Sequence, residues 1–347
     1  MFAKDSLLRI YGFSLIVSIG LLVFVGVELG LAALAVAIML AALEVTFSFD
    51  NAIINAKILR RMSRGWQQAF MTVGILIAVF GVRVVIPIVL VALAANAGFG
   101  QVIDLAVNDA EQYSHLLETA HPIIVGFGGM FLLMIFLDFI LQEQKVKWLR
   151  KIEQIFIRVG KLESISIVTA ISTLLATSLM VEGAARDEFL VSGMIGLLVY
   201  LIINSLDTLL RKAGVENSLQ KTTKQTFKAG LVGFIYLEVI DASFSLDGVI
   251  GAFAITKDIV LIAIGLGIGA LFVRAMTIHM LRREVMDKYK YLEHGAHYAV
   301  GALAIIMLAS IKFEVPEAVV GLAGITIISI TLLHSWHDNK KLSAKVE

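Results

Sequence analysis

Long apolar runs alternate with short polar clusters along almost the whole chain. Ten such runs stand out, at residues 10–27, 29–56, 68–95, 121–141, 164–181, 188–210, 228–255, 258–280, 292–311 and 316–335. Each comes close to the roughly 20 apolar residues that an α-helix needs to cross the hydrocarbon core of a bilayer. A helix also satisfies its own backbone N–H and C=O groups, which lipid cannot do. The pattern therefore predicts an all-α polytopic membrane protein of about ten transmembrane helices, with residues 1–347 forming a single membrane domain. Two joins, near Glu28 and near Lys257, are tight. The run from Ile10 to Val27 is long for a secretory signal and is not closed by a small-x-small pattern, so it reads as an uncleaved first span.

Composition supports this reading. Of the 347 residues 59% are hydrophobic and 16% charged, against about 45–50% and about 25% in an ordinary soluble domain. These values exclude a soluble globular enzyme, a disordered chain and a nucleic-acid binder. There is no cysteine, so disulfides and thiolate-based soft-metal sites are excluded.

The positions of the charges say more than the net charge of +1. With the N-terminus placed inside, 24 of the 29 Lys and Arg fall in cytoplasmic segments, including clusters at Lys57–Arg64, Lys145–Lys161 and Arg282–Lys290. Outer segments hold only Arg186, Lys257 and Lys312, and Arg83 and Arg274 lie within spans. A bias that alternates loop by loop predicts an even number of spans with both termini cytoplasmic. The basic loops read as topology and lipid contact rather than nucleic-acid binding. The outer segment 96–120 carries Asp104, Asp109, Glu111, His115 and Glu118 and no Lys or Arg. It reads as a solvated loop, or alternatively as an acidic vestibule that concentrates cations.

Two segments resemble one another. Glu44-Val-Thr-Phe-Ser48-Phe-Asp50-Asn51 aligns without a gap, at an offset of 197 residues, with Asp241-Ala-Ser-Phe-Ser245-Leu-Asp247-Gly248. Each is followed by an apolar span holding one arginine, Arg83 or Arg274, and then by a Tyr, Glu and His cluster. The motif spans are the second and the seventh, so the copies cross the membrane in opposite directions. An inverted repeat is expected, over residues 28–141 with its motif at 44–51 and 228–311 with its motif at 238–248. In transporters such repeats place the site near the midplane between them.

Ionisable residues at membrane depth cost at least about 2.5–3.5 kcal/mol each and by default mark an ion or substrate pathway. The motifs bring Glu44, Asp50, Glu238, Asp241 and Asp247 to that depth. Glu238, Asp241 and Ser245 share one helical face. Glu44 and Asp50 are six residues apart, about 240° around an ideal helix, and so are Asp241 and Asp247. Each pair faces one ion only if its helix is interrupted, and Ser-Phe-Asp-Asn and Ser-Leu-Asp-Gly are poor helix formers that would allow it. Carboxylates, Asn51, Ser48, Ser245 and freed carbonyls are hard oxygen donors suited to Mg²⁺, Ca²⁺ or Mn²⁺. The arginines would pair with carboxylates in the empty site, or protons would replace the metal. Static interhelical salt bridges are the plainer alternative. His294 and His297, at a helix start, and His121 are possible metal-path residues, set against an interfacial role. His334 and His337 read as solvated. No nucleophile elbow, phosphate loop or His-Glu-x-x-His motif occurs, so no enzyme is expected.

These motifs resemble those of the TerC family of integral membrane proteins, within the wider LysE-like transporter superfamily. Glu44…Ser48-Phe-Asp50-Asn51 resembles its first motif, and Glu238-Val-Ile-Asp241-Ala-Ser-Phe244-Ser-Leu-Asp247 its second. Arg83 and Arg274 also match. Gly248 departs from the pattern, and the Tyr-Leu-Glu-His-Gly-Ala-His-Tyr run is closer to a subgroup known only as a domain of unknown function. The resemblance implies Mn²⁺ efflux across a bacterial inner membrane, with an older association with tellurite resistance. The expectation is a multi-pass exporter that holds a divalent cation, Mn²⁺ foremost, as transported substrate at Glu44, Asp50, Asn51, Glu238, Asp241 and Asp247, with no other cofactor. Its rivals are a non-transporting scaffold or metal-loading protein, and an exporter of an organic solute.

Overall fold

The computed structural model describes residues 7–94, 97–144, 146–162, 164–212, 223–256, 258–283, 285–313 and 315–343. Lys257, the loop 213–222 and the side chain of Asp247 lie outside the described residues. The described chain is all-α, with no strand among its residues.

The first two expected spans form a hairpin. α1 (Leu7–Phe24) passes through a π-helical turn at Val25–Leu29 into α2 (Gly30–Phe47). Gly30 sits at φ 88°, which side chains with a Cβ rarely adopt, and makes the reversal. Gly26 then packs on Leu34 across the bend. α3 (Phe49–Leu59) continues from α2 after a single turn residue, Ser48.

The expected third span is irregular. α4 (Arg64–Met71) and α5 (Val73–Leu76) lead into a nine-residue π-helical stretch, Ile77–Val85, and then α6 (Ile86–Ala94). The expected outer loop is helical rather than open: α7 (Phe99–Asn108) and α8 (Ala110–Thr119) turn Val102, Ala106, Tyr113 and Leu117 into the core. Asp104, Asp109, Glu111, His115 and Glu118 remain exposed, and Asp109 caps α8 by accepting from the Gln112 amide. Burial pushes the Tyr113 phenol up.

α9 (His121–Ile140) is apolar along most of its length, apart from Asp138, which accepts from the Tyr200 hydroxyl of α12 at 2.7 Å, and is enclosed by its neighbours. α10 (Arg150–Val159) follows as an amphipathic helix, then α11 (Ile165–Ser178), α12 (Ala184–Lys212) and α13 (Thr223–Ile255). Gly126 and Gly196 bring α9 and α12 close, at points where an added Cβ would clash with Phe189, Ser192 or the Phe127 backbone. Small residues at such crossings are how membrane helices gain packing without a hydrophobic drive. α14 (Ile259–Arg282) is capped by Asp258, which accepts from the amides of Val260 and Leu261. α15 (Val285–Lys288), α16 (Leu292–Ala309) and α17 (Glu317–Ser343) complete the bundle, with α16 packed between α9 and α17.

Among the described residues, six stretches are long and apolar enough to cross a membrane: Ile10–Thr46, Arg64–Val89, His121–Ile140, Ala184–Ser205, Ile259–Arg282 and Leu292–Ala309. The outward residues of α1 and α2 fit lipid, with Leu8, Ile16 and Leu31 exposed by 76, 73 and 80%. The first of the six stretches contains the Gly30 reversal and so holds the first two expected spans; α11 has 14 residues, and α13 carries Lys228, Glu238, Asp241 and Asp247 in one helix.

Candidate functional site

The motif helices meet at the centre of this bundle. α13 runs antiparallel to α2 and α3: Gly230 packs on Trp66, Gly233 on Met62, and Asn51 donates from Nδ2 to Asp241 Oδ1 at 2.8 Å. A Cβ placed on Gly248 would stand 3.5 Å from Glu44 Oε2. At an offset of 197, position 44 corresponds to 241 and position 51 to 248. The contacts 44–248 and 51–241 are therefore exchanged by a local two-fold relation.

Each copy receives one arginine from the following helix. Arg83, in the π-helical stretch, donates to Glu44 Oε1 at 2.5 Å and to the Ala78 carbonyl at 2.7 Å. Arg274, in α14, donates to Glu238 at 3.0 and 3.2 Å, to Asp241 Oδ2 at 3.3 Å and to the Phe70 carbonyl at 2.8 Å. Its guanidinium also lies 4.1 Å from the centre of the Phe70 ring. Two glycines make room for this. A Cβ at Gly74 would strike Arg274 and Glu238, and one at Gly269 would strike Glu44. Glu44, Ser48, Asp50, Asn51, Arg83, Glu238, Asp241, Ser245 and Arg274 are all buried. Three carboxylates, Glu44, Glu238 and Asp241, thus pair with the two arginines, while Asp50 accepts from the Asn51 amide.

The two copies reach this arrangement differently. Ser48 is the single turn residue between α2 and α3, donates from Oγ to Glu44 Oε1 at 3.0 Å, and separates Glu44 from Asp50. The backbone ladder continues through the turn, from the Ser48 amide to the Glu44 carbonyl and from the Ala52 amide to the Ser48 carbonyl. The expected interruption in the second copy is absent, because α13 is continuous from Thr223 to Ile255. The reason lies in the spacing. Glu238 and Asp241 are three residues apart and reach the same guanidinium only from a regular helix.

Three buried oxygens here make no hydrogen bond: Asn51 Oδ1, Asn55 Oδ1 and Ser245 Oγ. Asn55 escaped the sequence reading, although it stands one turn after Asn51 on the same face of α3 in an apolar run. Among the described residues no group of three His, Asp or Glu is already gathered for a metal. Arginines hold Glu44, Glu238 and Asp241 instead.

The histidines do not form one path. His121 Nε2 lies 3.4 Å from Ser310 Oγ at one end of α9 and α16. At the other end His297 stacks on Phe139 at 3.8 Å, and its Nδ1 is 2.7 Å from the Glu293 carbonyl oxygen. The length of α9, about 27 Å of helix rise, separates them. His294 stands beside Glu153, a buried residue of α10 that the sequence reading did not single out. His334 is exposed, as expected, and accepts from Trp148 Nε1 at 2.9 Å.

Comparison with known proteins corrects the resemblance drawn from the motifs. A relative named as uncharacterized membrane protein YceF, from Bacillus subtilis (strain 168), is 28% identical over 118 residues. That match spans 34% of this chain and 45% of the relative, less than half of its length. No solved structure matches. A family model described as "Protein of unknown function (DUF475)" matches residues 49–342, and this is a different family from TerC. The shared Glu, Ser, Asp and Arg pattern is short, and acids paired with arginines at membrane depth are a solution that unrelated helical proteins can reach. The chain is a membrane protein that belongs to the DUF475 family.

Proposed function

We propose that this protein carries a hard divalent cation through the membrane, with Mn²⁺ as the leading substrate, at a site shared by two inverted repeats. The observation that carries this reading is the reciprocal pairing of Glu44 with Gly248 and Asn51 with Asp241 between antiparallel motif helices. It supports a site built equally by both halves, which rocking of one half against the other would expose alternately. Glu44, Asp50, Glu238 and Asp241 outnumber Arg83 and Arg274, so the buried centre retains acceptor capacity for a cation. The unbonded oxygens of Asn51, Asn55 and Ser245 add neutral hard donors. Asp247 completes the proposed set. In the state described, the arginines hold Glu44, Glu238 and Asp241. Loading requires their release, and efflux by exchange with protons would return them. The setting is the cytoplasmic membrane of a bacterium, with both termini on the basic, cytoplasmic side.

Purified protein in proteoliposomes with a trapped Mn²⁺-sensitive dye tests this. Wild type is expected to move Mn²⁺, and Asp241→Asn and Asp50→Asn to lose at least tenfold of the rate. Wild type that binds Mn²⁺ but passes none overturns transport in favour of a scaffold. That second reading is favoured by one observation, the neutralisation of Glu44, Glu238 and Asp241 by arginines already in place.

A further inference from the structure

A second cluster lies at the basic end of the bundle, away from the central carboxylates. Glu153 of α10 is 5% exposed and His294 of α16 is 4% exposed. Glu153 Oε1 is well used, accepting from the amides of Trp148 and Leu149 at 3.2 and 3.0 Å. Its second oxygen, Oε2, is buried and makes no hydrogen bond. Neither ring nitrogen of His294 has a partner at full hydrogen-bond geometry, and the Val146 backbone is a weak polar neighbour of the ring. His294 Nε2 stands 3.8 Å from Glu153 Oε1, too far for a direct bond. Buried polar atoms are almost always partnered, so an orphaned imidazole and an orphaned carboxylate oxygen side by side require an explanation.

Both residues line one small, partly open cleft, together with Phe139, Gln142, Gln144 and Tyr298. The space accessible inside it, about 10 Å³, is of the order that holds a single water molecule. A space of that size also admits one ion. Two ligands on one cation with bonds of about 2.1 Å stand about 3.0–3.5 Å apart, slightly less than the present separation. Gln142 and Gln144, which line the same cleft, carry amide groups of the hard-donor class.

We propose that Glu153 and His294 form a second binding site for a first-row divalent transition cation, completed by glutamine oxygens or water. The donor set differs in kind from the central one. Imidazole favours Zn²⁺, Co²⁺ and the other late first-row cations, with Mn²⁺ the weakest of that series, whereas Mg²⁺ and Ca²⁺ prefer oxygen alone. The site therefore discriminates by ligand chemistry where the central carboxylates do not. It also lies close to the motif. α3 runs from Asp50 to Lys57, about 10 Å of helix rise, and the Lys57 ammonium meets the carboxylate of Glu293, the neighbour of His294, at 2.5 Å. The site is a matter of binding and stands whether or not the protein transports.

Equilibrium binding of Co²⁺ and Mn²⁺ to the purified full chain in detergent tests it, with electron spin-echo modulation of bound Mn²⁺ to detect a coordinated ¹⁴N. Wild type is expected to show a ¹⁴N coupling that millimolar Mg²⁺ does not remove. Glu153→Gln keeps an acceptor for the Trp148 and Leu149 amides, and His294→Gln keeps a polar side chain of similar bulk. Each is expected to weaken Co²⁺ binding at least tenfold and His294→Gln to abolish the ¹⁴N coupling, while Asp241→Asn retains it. Absence of a ¹⁴N coupling in wild type overturns the site, as does equal Co²⁺ affinity in wild type and both variants. Displacement by Mg²⁺ as effective as by Co²⁺ overturns its selectivity. A variant that loses its fold is replaced by the wild-type coupling itself, which needs no substitution.

Discussion

The two motif regions share residue types and differ in backbone. In the first, Glu44 is held by an arginine from a π-helical stretch, and the turn residue Ser48 separates it from Asp50. In the second, Glu238 and Asp241 share one arginine from a regular helix, and α13 runs straight through. The difference shows that a similar charge pattern can be met by a turn in the helix that bears the acids or by keeping it regular. Helices that are π-bulged at such points often mark functional sites. The first region is the better candidate for motion, and the second for a fixed anchor.

The largest expected effect tests the anchor. Arg274→Ala leaves Glu238 and Asp241 buried without their shared cation and removes the contact to Phe70, at a cost of about 3–5 kcal/mol. Thermal unfolding in detergent should show a larger loss than for Arg83→Ala, and equal losses would erase the distinction between the two regions. Asn51→Ala breaks the charge-assisted bond that joins them, an expected cost of about 1.5–3 kcal/mol. A double-mutant cycle with Asp241→Asn should find strong coupling; additive effects would mean the helices meet without depending on each other. Gly269→Ala places a methyl group against Glu44, and overpacking of this kind costs about 1–3 kcal/mol. The same method should find Gly248→Ala nearly neutral, because its Cβ would meet Glu44 Oε2 only at an ordinary 3.5 Å.

The smallest expected effect lies outside the membrane. The Lys290 ammonium meets Asp338 at 3.0 Å, and the hydrogen bond to that carboxylate holds its pKa above the ordinary 10.5. A raised folded value means a contribution that is fully present below 10.5 and lost as pH climbs through the raised value. Both side chains are about one-third exposed, so the contribution is at most about 0.2–1 kcal/mol. Melting temperatures of wild type and Lys290→Met should differ slightly at neutral pH and converge in strong alkali.

Much of the site was readable from residue type. Five acids and two arginines in apolar runs are conspicuous because burial of charge is costly. Asn55 and Glu153 were not conspicuous. Asn55 is one polar residue in a motif already rich in them, and Glu153 stands in an amphipathic helix where a charged residue is expected to face water. Its burial depends on how α10 lies against α9 and α16. The continuity of α13 was also hidden, because Ser-Leu-Asp-Gly is a weak helix former in isolation and packing overrides propensity.

The sequence alone determined the membrane setting, the all-α class and the membership of the acidic motifs, because hydrophobic run length and the cost of buried charge act locally along the chain. Only the tertiary structure decided which arginine serves which carboxylate, that Asn51 meets Asp241 across 190 residues, and that His294 shares a cleft with Glu153. Those pairings depend on helix crossings and on the glycines that let backbones approach, and no local pattern encodes the distance between two side chains far apart in the chain.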